Sequence, residues 1–359
     1  MQTALSVLLA SGLVALLAGL ARAEEPWPLP DWLTATPEDM GVDPALLEEA
    51  KAYAVTGDGS GCIVRHGRLV ASWGDQQKRY DLKSTTKSIG VTCLGLALAD
   101  GKVALSDKAR RHHPTLGVPP QSNAETGWLE QVTLLHLATQ TAGFEKPGGW
   151  SPLLFEPGTA WCYSDCGPNW LAECLTLTYG RDLNEVMFER VFTPLGITPA
   201  DLAWRSNVYR PDTIEGIKRR EFGAGFHGNV NAMARIGLLY LRRGRWRDRQ
   251  VIPAEFVDLA RTTVPQVVGL PVKGDAKYGD APNHYGLLWW NNADGTLAGV
   301  PRDAYWSWGL YDSFIIVVPS LDLVVARAGE GWKRTGDGHY DVLAPFLTPI
   351  VRSVRGAVR

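Results

Sequence analysis

Between Ser84 and Asp100 the chain reads STTKSIGVTCLGLALAD. Small and aliphatic residues occupy nearly every position, and Ile89, Val91, Leu94, Leu96 and Leu98 fall on all sides of a 3.6-residue period instead of forming one stripe. Gly101 supplies the stop. A helix that is apolar all round has no face for solvent, so other elements must wrap it on every side. The chain is long enough to do so, because 359 residues bury roughly three quarters of the surface an unfolded chain exposes. Lys plus Arg total 36 against 38 for Asp plus Glu, a net charge of -2. Without a basic excess the chain lacks the electrostatic footprint of a nucleic-acid binder.

The wrapping elements are legible at both ends. Gly57 to Gly61 is turn material, and Cys62 to Trp73 reads as two short strands around His66-Gly67. Toward the other end, Gly286 to Trp290, Ser313 to Val318 and Leu321 to Ala326 read as strands, the last two joined at Pro319-Ser320, with a final helix around Tyr340 to Arg352. The middle, roughly residues 105–280, is rich in helix-like segments such as Leu134 to Leu137, Pro168 to Leu177 and Val230 to Leu241. The predicted class is α+β, an antiparallel sheet built from both chain ends, flanked by helices and carrying an inserted, mostly helical subdomain.

Ala4 to Leu20 is apolar and ends in Ala21-Arg22-Ala23 before Glu24. This is the pattern of a signal peptide over residues 1–23, with residues 24–359 as one domain of the mature chain in the periplasm or outside the cell. The alternative is an uncleaved anchor; no later run is apolar for long enough to span a bilayer. Five cysteines, Cys62, Cys93, Cys162, Cys166 and Cys174, suit an oxidising compartment and leave both a bridge and buried thiols open. Neither paired C-x-x-C nor H-E-x-x-H spacing occurs, so no metal or other cofactor is expected, and His112-His113 before Pro114 reads as a solvated turn.

Ser84-Thr85-Thr86-Lys87 opens the apolar helix. Residues three apart share a helix face, so an amine stands beside a hydroxyl that needs a base before it can attack. By itself the pattern also fits an N-cap serine and a solvated lysine. A second polar group, Tyr163 in Trp161-Cys162-Tyr163-Ser164-Asp165, precedes the helix-like segment at Pro168. A neighbouring ammonium favours the phenolate, which predicts a lowered pKa and a base at neutral pH.

Taken in order, these motifs resemble those of the penicillin-recognising serine hydrolases, the superfamily of class C β-lactamases, penicillin-binding proteins, family VIII carboxylesterases and 6-aminohexanoate-dimer hydrolases. Ser84-Thr85-Thr86-Lys87 matches its S-x-x-K and Tyr163-Ser164-Asp165 resembles its Y-x-N. Val132 to Phe144, and Asn231 to Gly237 followed by Gly244-Arg245-Trp246, are similar to further stretches of the hydrolase branch. The likeness spans nearly all of the mature chain. It implies a β-lactamase-like fold and an acyl-enzyme on Ser84, with Lys87 and Tyr163 as general base and acid.

Two departures refine the expectation. The superfamily's third motif, Lys-Thr-Gly or His-Thr-Gly, belongs about a dozen residues before Pro319, where this chain has Trp306-Ser307-Trp308-Gly309-Leu310-Tyr311 and no cation. That argues against β-lactams and D-Ala-D-Ala peptides and resembles the carboxylesterases; Lys333-Arg334-Thr335-Gly336 lies past the last strand. Asp165 replaces the superfamily's Asn and only accepts hydrogen bonds when ionised, so it suits orienting Lys87 better than recognising an amide. Trp308 and Gly309 are expected at the substrate pocket, and Leu310 or Tyr311 is expected to give the second oxyanion N–H. The expected partner is a small-molecule ester or amide. The rivals are a β-lactamase or peptidoglycan hydrolase and a non-catalytic ligand-binding protein of the same fold.

Overall fold

The computed structural model describes residues 25–334 and 340–355; the predicted signal peptide and Thr335-Gly336 lie outside these residues. Along the chain the strands that frame the site are β1 (Ser60–Arg65), β2 (Arg68–Trp73), β3 (Tyr80–Asp81), β4 (Leu202–Trp204), β5 (Phe226–Gly228), β6 (Trp290–Asn291), β7 (Tyr305–Trp306), β8 (Phe314–Val318) and β9 (Leu323–Ala328). A six-stranded antiparallel sheet has the order β6-β7-β8-β9-β1-β2. The two chain ends meet at its centre, where Ser60 to Arg65 pairs with Ala328 to Leu323. A three-stranded sheet, β3-β5-β4, stands apart and leads into the apolar helix.

Every residue of β8 and β9 is buried, which is why both strands read as apolar without alternation up to Arg327. Both faces are covered. The principal helices are α1 (Pro44–Ala54), α2 (Thr85–Gly90), α3 (Thr92–Ala99), α4 (Leu134–Ala138), α5 (Cys166–Tyr179), α6 (Val230–Leu241) and α7 (Leu343–Ser353). Alternation along β1 sends Cys62 toward α6, where its thiol meets the Val230 carbonyl at 3.8 Å. Gly61 on the opposite face lies against Trp73, whose ring meets Phe346 of α7. Gly237 lets α6 lie close to the sheet, since a Cβ there would stand 2.5 Å from a Val324 methyl.

The all-apolar segment forms α2 and α3, with Thr85 to Ala97 buried throughout. Gly90 and Gly95 face Phe222 and Phe256 so closely that a Cβ would come within 2.7 and 2.5 Å of those rings. One strand expectation fails: of Gly286 to Trp290 only Trp290 is extended and paired. Leu288 adopts φ 57°, and its carbonyl accepts the Ser88 hydroxyl at 2.6 Å, so the ladder cannot begin earlier. Within residues 105–280 the chain forms helices, loops and the small sheet, while α6 returns to the main sheet. Among the described residues no helix is long and apolar enough to cross a membrane, and no cluster of three or more His, Cys, Asp or Glu side chains is placed to hold a metal ion.

Candidate active site

The reversal that presents Ser84 is built by Asp81. Its carboxylate accepts the Lys83 N–H at 3.1 Å and pairs with Lys83 Nζ at 2.6 Å. Lys83 is thereby held at φ 47°, a conformation a non-glycine residue adopts only where its surroundings impose it. Ser84 follows at the start of α2 and remains partly exposed. Thr85 Oγ1 donates to the Ser313 carbonyl at 2.8 Å and Ser313 Oγ to the Leu82 carbonyl at 2.7 Å, bracing this loop against the segment before β8.

Lys87 points back along the helix face to Ser84, with Nζ 3.0 Å from Oγ. Its side chain is 1% exposed and also meets the Gly223 carbonyl at 2.8 Å and Asp165 Oδ1 in a short ion pair. Three acceptors thus match the three protons of an ammonium. The Gly223 N–H donates to Asn169 Oδ1 at 2.8 Å, and a Cβ at 223 would stand 2.9 Å from the Asp165 Cβ. Glycine is what allows that carbonyl to reach Lys87 beside Asp165.

Tyr163 lies in the loop ahead of α5, 7% exposed, near enough to Ser84 for the serine hydroxyl to act on its phenol. Lys87 Nζ and Lys146 Nζ each lie 4.9 Å from its ring centre, and Tyr278 stacks on it at 4.8 Å. The expected lowering of its pKa is not what the structure gives. Burial pushes the phenol well above its ordinary value, the Asp165 carboxylate adds to the rise, and only the Ser84 hydrogen bond opposes it. The phenol is therefore neutral at pH 7, and the phenolate base expected from sequence is corrected to a protonated group beside Ser84.

The segment after β7 is brought to the same loop. A Cβ on Gly309 would lie 2.2 Å from the Leu82 carbonyl oxygen and 2.2 Å from Ser313 Oγ. The Gly309 N–H already donates to the Ser313 carbonyl at 2.9 Å, which leaves Leu310 and Tyr311 as the backbone donors of the turn. Their side chains sit at the rim, 71% and 42% exposed, and Lys83 Nζ lies 5.1 Å from the Tyr311 ring. Trp308 is 7% exposed, its indole N–H donates to Asp312 Oδ1 at 2.9 Å, and it packs on Phe314 at 5.1 Å. Arg327 of β9, fully buried, holds the turn by donating to the carbonyls of Tyr311 at 2.6 Å, Asp312 at 3.0 Å and Gly57 at 2.7 Å. Burial draws its pKa down to about 10.

Two further expectations resolve. His112 and His113 are not solvated: His112 bonds Asp107 and Thr178, and His113 lies 3.0 Å from Glu173 in a buried cluster completed by Arg210 and Arg219. All five cysteines are free and buried. Sequence reasoning missed Gly223, Lys146 and Tyr278; none belongs to a spaced motif, and each reaches the site through tertiary contact. A cavity of about 570 Å³ lined by Arg79, Ala203, Trp204, Arg205 and His227 lies on the small sheet, and none of Ser84, Lys87 or Tyr163 lines it.

A sheet joined from both chain ends, covered on both faces, with a buried helix presenting Ser84 and Lys87 toward Tyr163, is the β-lactamase and penicillin-binding-protein fold. A family model described as Beta-lactamase matches residues 48–346, and the chain belongs to that family. Among solved structures it is similar to a candidate β-lactamase from Bacteroides dorei, at 15% identity and a TM-score of 0.67, covering 86% of this chain and 98% of that one. A candidate 6-aminohexanoate-dimer hydrolase from Bacillus anthracis aligns at 15% identity and a TM-score of 0.65, covering 90% and 88%. A family VIII carboxylesterase aligns at 14% identity and a TM-score of 0.63, covering 87% and 99%. No curated protein matches the chain by sequence.

Proposed function

We propose that the chain is a serine hydrolase, exported by its predicted leader, that cleaves small-molecule esters, and amides of similar shape, through an acyl-enzyme on Ser84. The observation that carries this reading is the contact of the Ser84 hydroxyl with Lys87 Nζ, at 3.0 Å, with the same Nζ 4.9 Å from the centre of the Tyr163 ring. Ser84 Oγ attacks the carbonyl carbon. Because Tyr163 is neutral, it accepts the serine proton as it passes its own to the leaving group. The Lys87 ammonium steadies Oγ while charge moves off it. Water then runs the same relay in reverse and releases the acid. A positioned proton shuttle of this kind is typically worth about 10²–10⁴-fold.

The Ser84 N–H and that of Leu310 or Tyr311 hold the oxyanion, each donor supplying about 2.7–4 kcal/mol. Esters are favoured over β-lactams because no Lys, Arg or His occupies Trp306 to Tyr311, the place from which the superfamily's third motif takes the lactam carboxylate. The test compares p-nitrophenyl butyrate and nitrocefin turnover, with fluorophosphonate labelling, in wild type and Ser84→Ala. Ester turnover and labelling that vanish in Ser84→Ala are expected. Unchanged ester turnover in the variant refutes the reading; nitrocefin preferred over the ester makes the enzyme a lactamase, and absence of labelling makes the fold a binding protein.

A further inference from the structure

The third motif lacks a cation, yet the fold brings one to the site from another loop. Lys146 lies in Glu145-Lys146-Pro147-Gly148, and its carbonyl accepts the Asp165 N–H at 2.8 Å, pinning the loop to the tyrosine motif. Its Nζ stands 4.9 Å from the Tyr163 ring centre and 3.8 Å from Asp165 Oδ2, with half of the side chain exposed. At 3.8 Å the contact with Asp165 is ionic and not a hydrogen bond. Asp165 is already engaged by the buried Lys87, so the two cations share one carboxylate.

A second lysine continues the wall. Lys277 Nζ lies 5.2 Å from the ring of Tyr278, which itself stacks on Tyr163 at 4.8 Å and 20°. Lys277 is paired with Asp275 at 2.8 Å, so Lys146 is the cation of this wall whose counter-charge is shared. Partial burial, with the neighbouring Lys87 and Lys277, holds the Lys146 pKa below the usual lysine value against the pull of Asp165 and, more weakly, Asp275. An incoming anion relieves that electrostatic burden.

We propose that Lys146 binds an anionic group of the substrate, so that the natural substrates are esters or amides carrying a carboxylate within reach of its Nζ. This rests on the serine-hydrolase reading and names the substrate class of the same site. Three esters test it: phenyl butyrate, which is neutral; 3-(butyryloxy)benzoate, with the carboxylate on the leaving half; and the phenyl monoester of glutaric acid, with it on the acyl half. The readout is kcat/KM for each anionic ester divided by that for the neutral one, in wild type, Lys146→Met and Lys146→Arg. Comparing this ratio between proteins cancels the intrinsic reactivities of the esters.

For at least one anionic ester the ratio falls about tenfold or more in Lys146→Met, chiefly through KM, the scale of one charge-assisted hydrogen bond, and Lys146→Arg retains most of it. A ratio unchanged in Lys146→Met overturns the assignment, whatever happens to absolute rates, and leaves Lys146 as a prop for Asp165. Calorimetric binding of the two anionic esters to Ser84→Ala and to Ser84→Ala/Lys146→Met reads the same contact without turnover. Tighter binding to the single variant supports the proposal even if no ester is hydrolysed; equal or absent binding overturns it.

Discussion

Replacing Gly309 by Ala should disable the site without touching a reactive side chain. The added Cβ would sit 2.2 Å from the Leu82 carbonyl oxygen, 3.2 Å from the Leu82 carbonyl carbon and 2.2 Å from Ser313 Oγ. Ordinary carbon–oxygen contacts need more than 3 Å, so the turn must retreat from the nucleophile loop by about 1 Å. The obstacle is backbone two residues before Ser84, and it cannot rotate away. Displacement of that size moves the Leu310 and Tyr311 N–H groups off the oxyanion position. Loss of one such donor is worth about 10²–10³ in kcat, or roughly 2.7–4 kcal/mol, and misplacement by 1 Å alone costs on the order of 10². The same shift stretches the 2.7 Å bond from Ser313 to Leu82, and overpacking of this kind destabilises by about 1–3 kcal/mol. Turnover of p-nitrophenyl butyrate by Gly309→Ala, measured where thermal melting shows the variant folded, should fall at least 100-fold. A folded variant within threefold of wild type refutes the placement of the oxyanion turn.

Tyr163→Phe should lose about 10²–10⁴ in kcat, and wild-type turnover in mixed light and heavy water should give a curved proton inventory, since two protons move together through a neutral phenol; a linear inventory or a fully active variant rejects the relay. Glu221→Gln reports on a buried carboxyl that burial pushes up to about 7, with Arg205 at 2.6 Å opposing the rise. A folded-state value above the ordinary 4.5 means that its contribution to stability is whole below about pH 4.5 and is lost as pH rises through 7. Ionised Glu221 then costs on the order of 2–3 kcal/mol at pH 8. The melting temperature of Glu221→Gln relative to wild type should accordingly be several degrees higher at pH 8 than at pH 5; a constant difference would show that Arg205 neutralises the carboxylate throughout.

What could be read without coordinates was what repeats or alternates locally. Val230 to Leu241 was bounded to the residue because its periodicity and its Asn229 cap are local, and the strands near Pro319 needed only composition. Leu288 could not be anticipated, since its left-handed conformation is imposed by contacts from Ser88 and the Ala138 carbonyl, far away in sequence. The error over Tyr163 has the same origin: proximity to an ammonium was legible, as was the Asp165 carboxylate, but the depth of burial, the larger cause of the rise, was not. Lys146 passed unnoticed because a lysine beside Pro-Gly-Gly is what any surface turn contains.

Arg327 ties the turn beside Ser84 to Gly57 at the entrance to the first strand of the sheet. The guanidinium that performs this tethering comes from the strand that pairs with β1 across the sheet. On the proposed reading Ser84, Lys87 and Tyr163 all precede it in the chain by more than a hundred residues, so the turn assigned to the oxyanion is fixed only once that distant strand has docked.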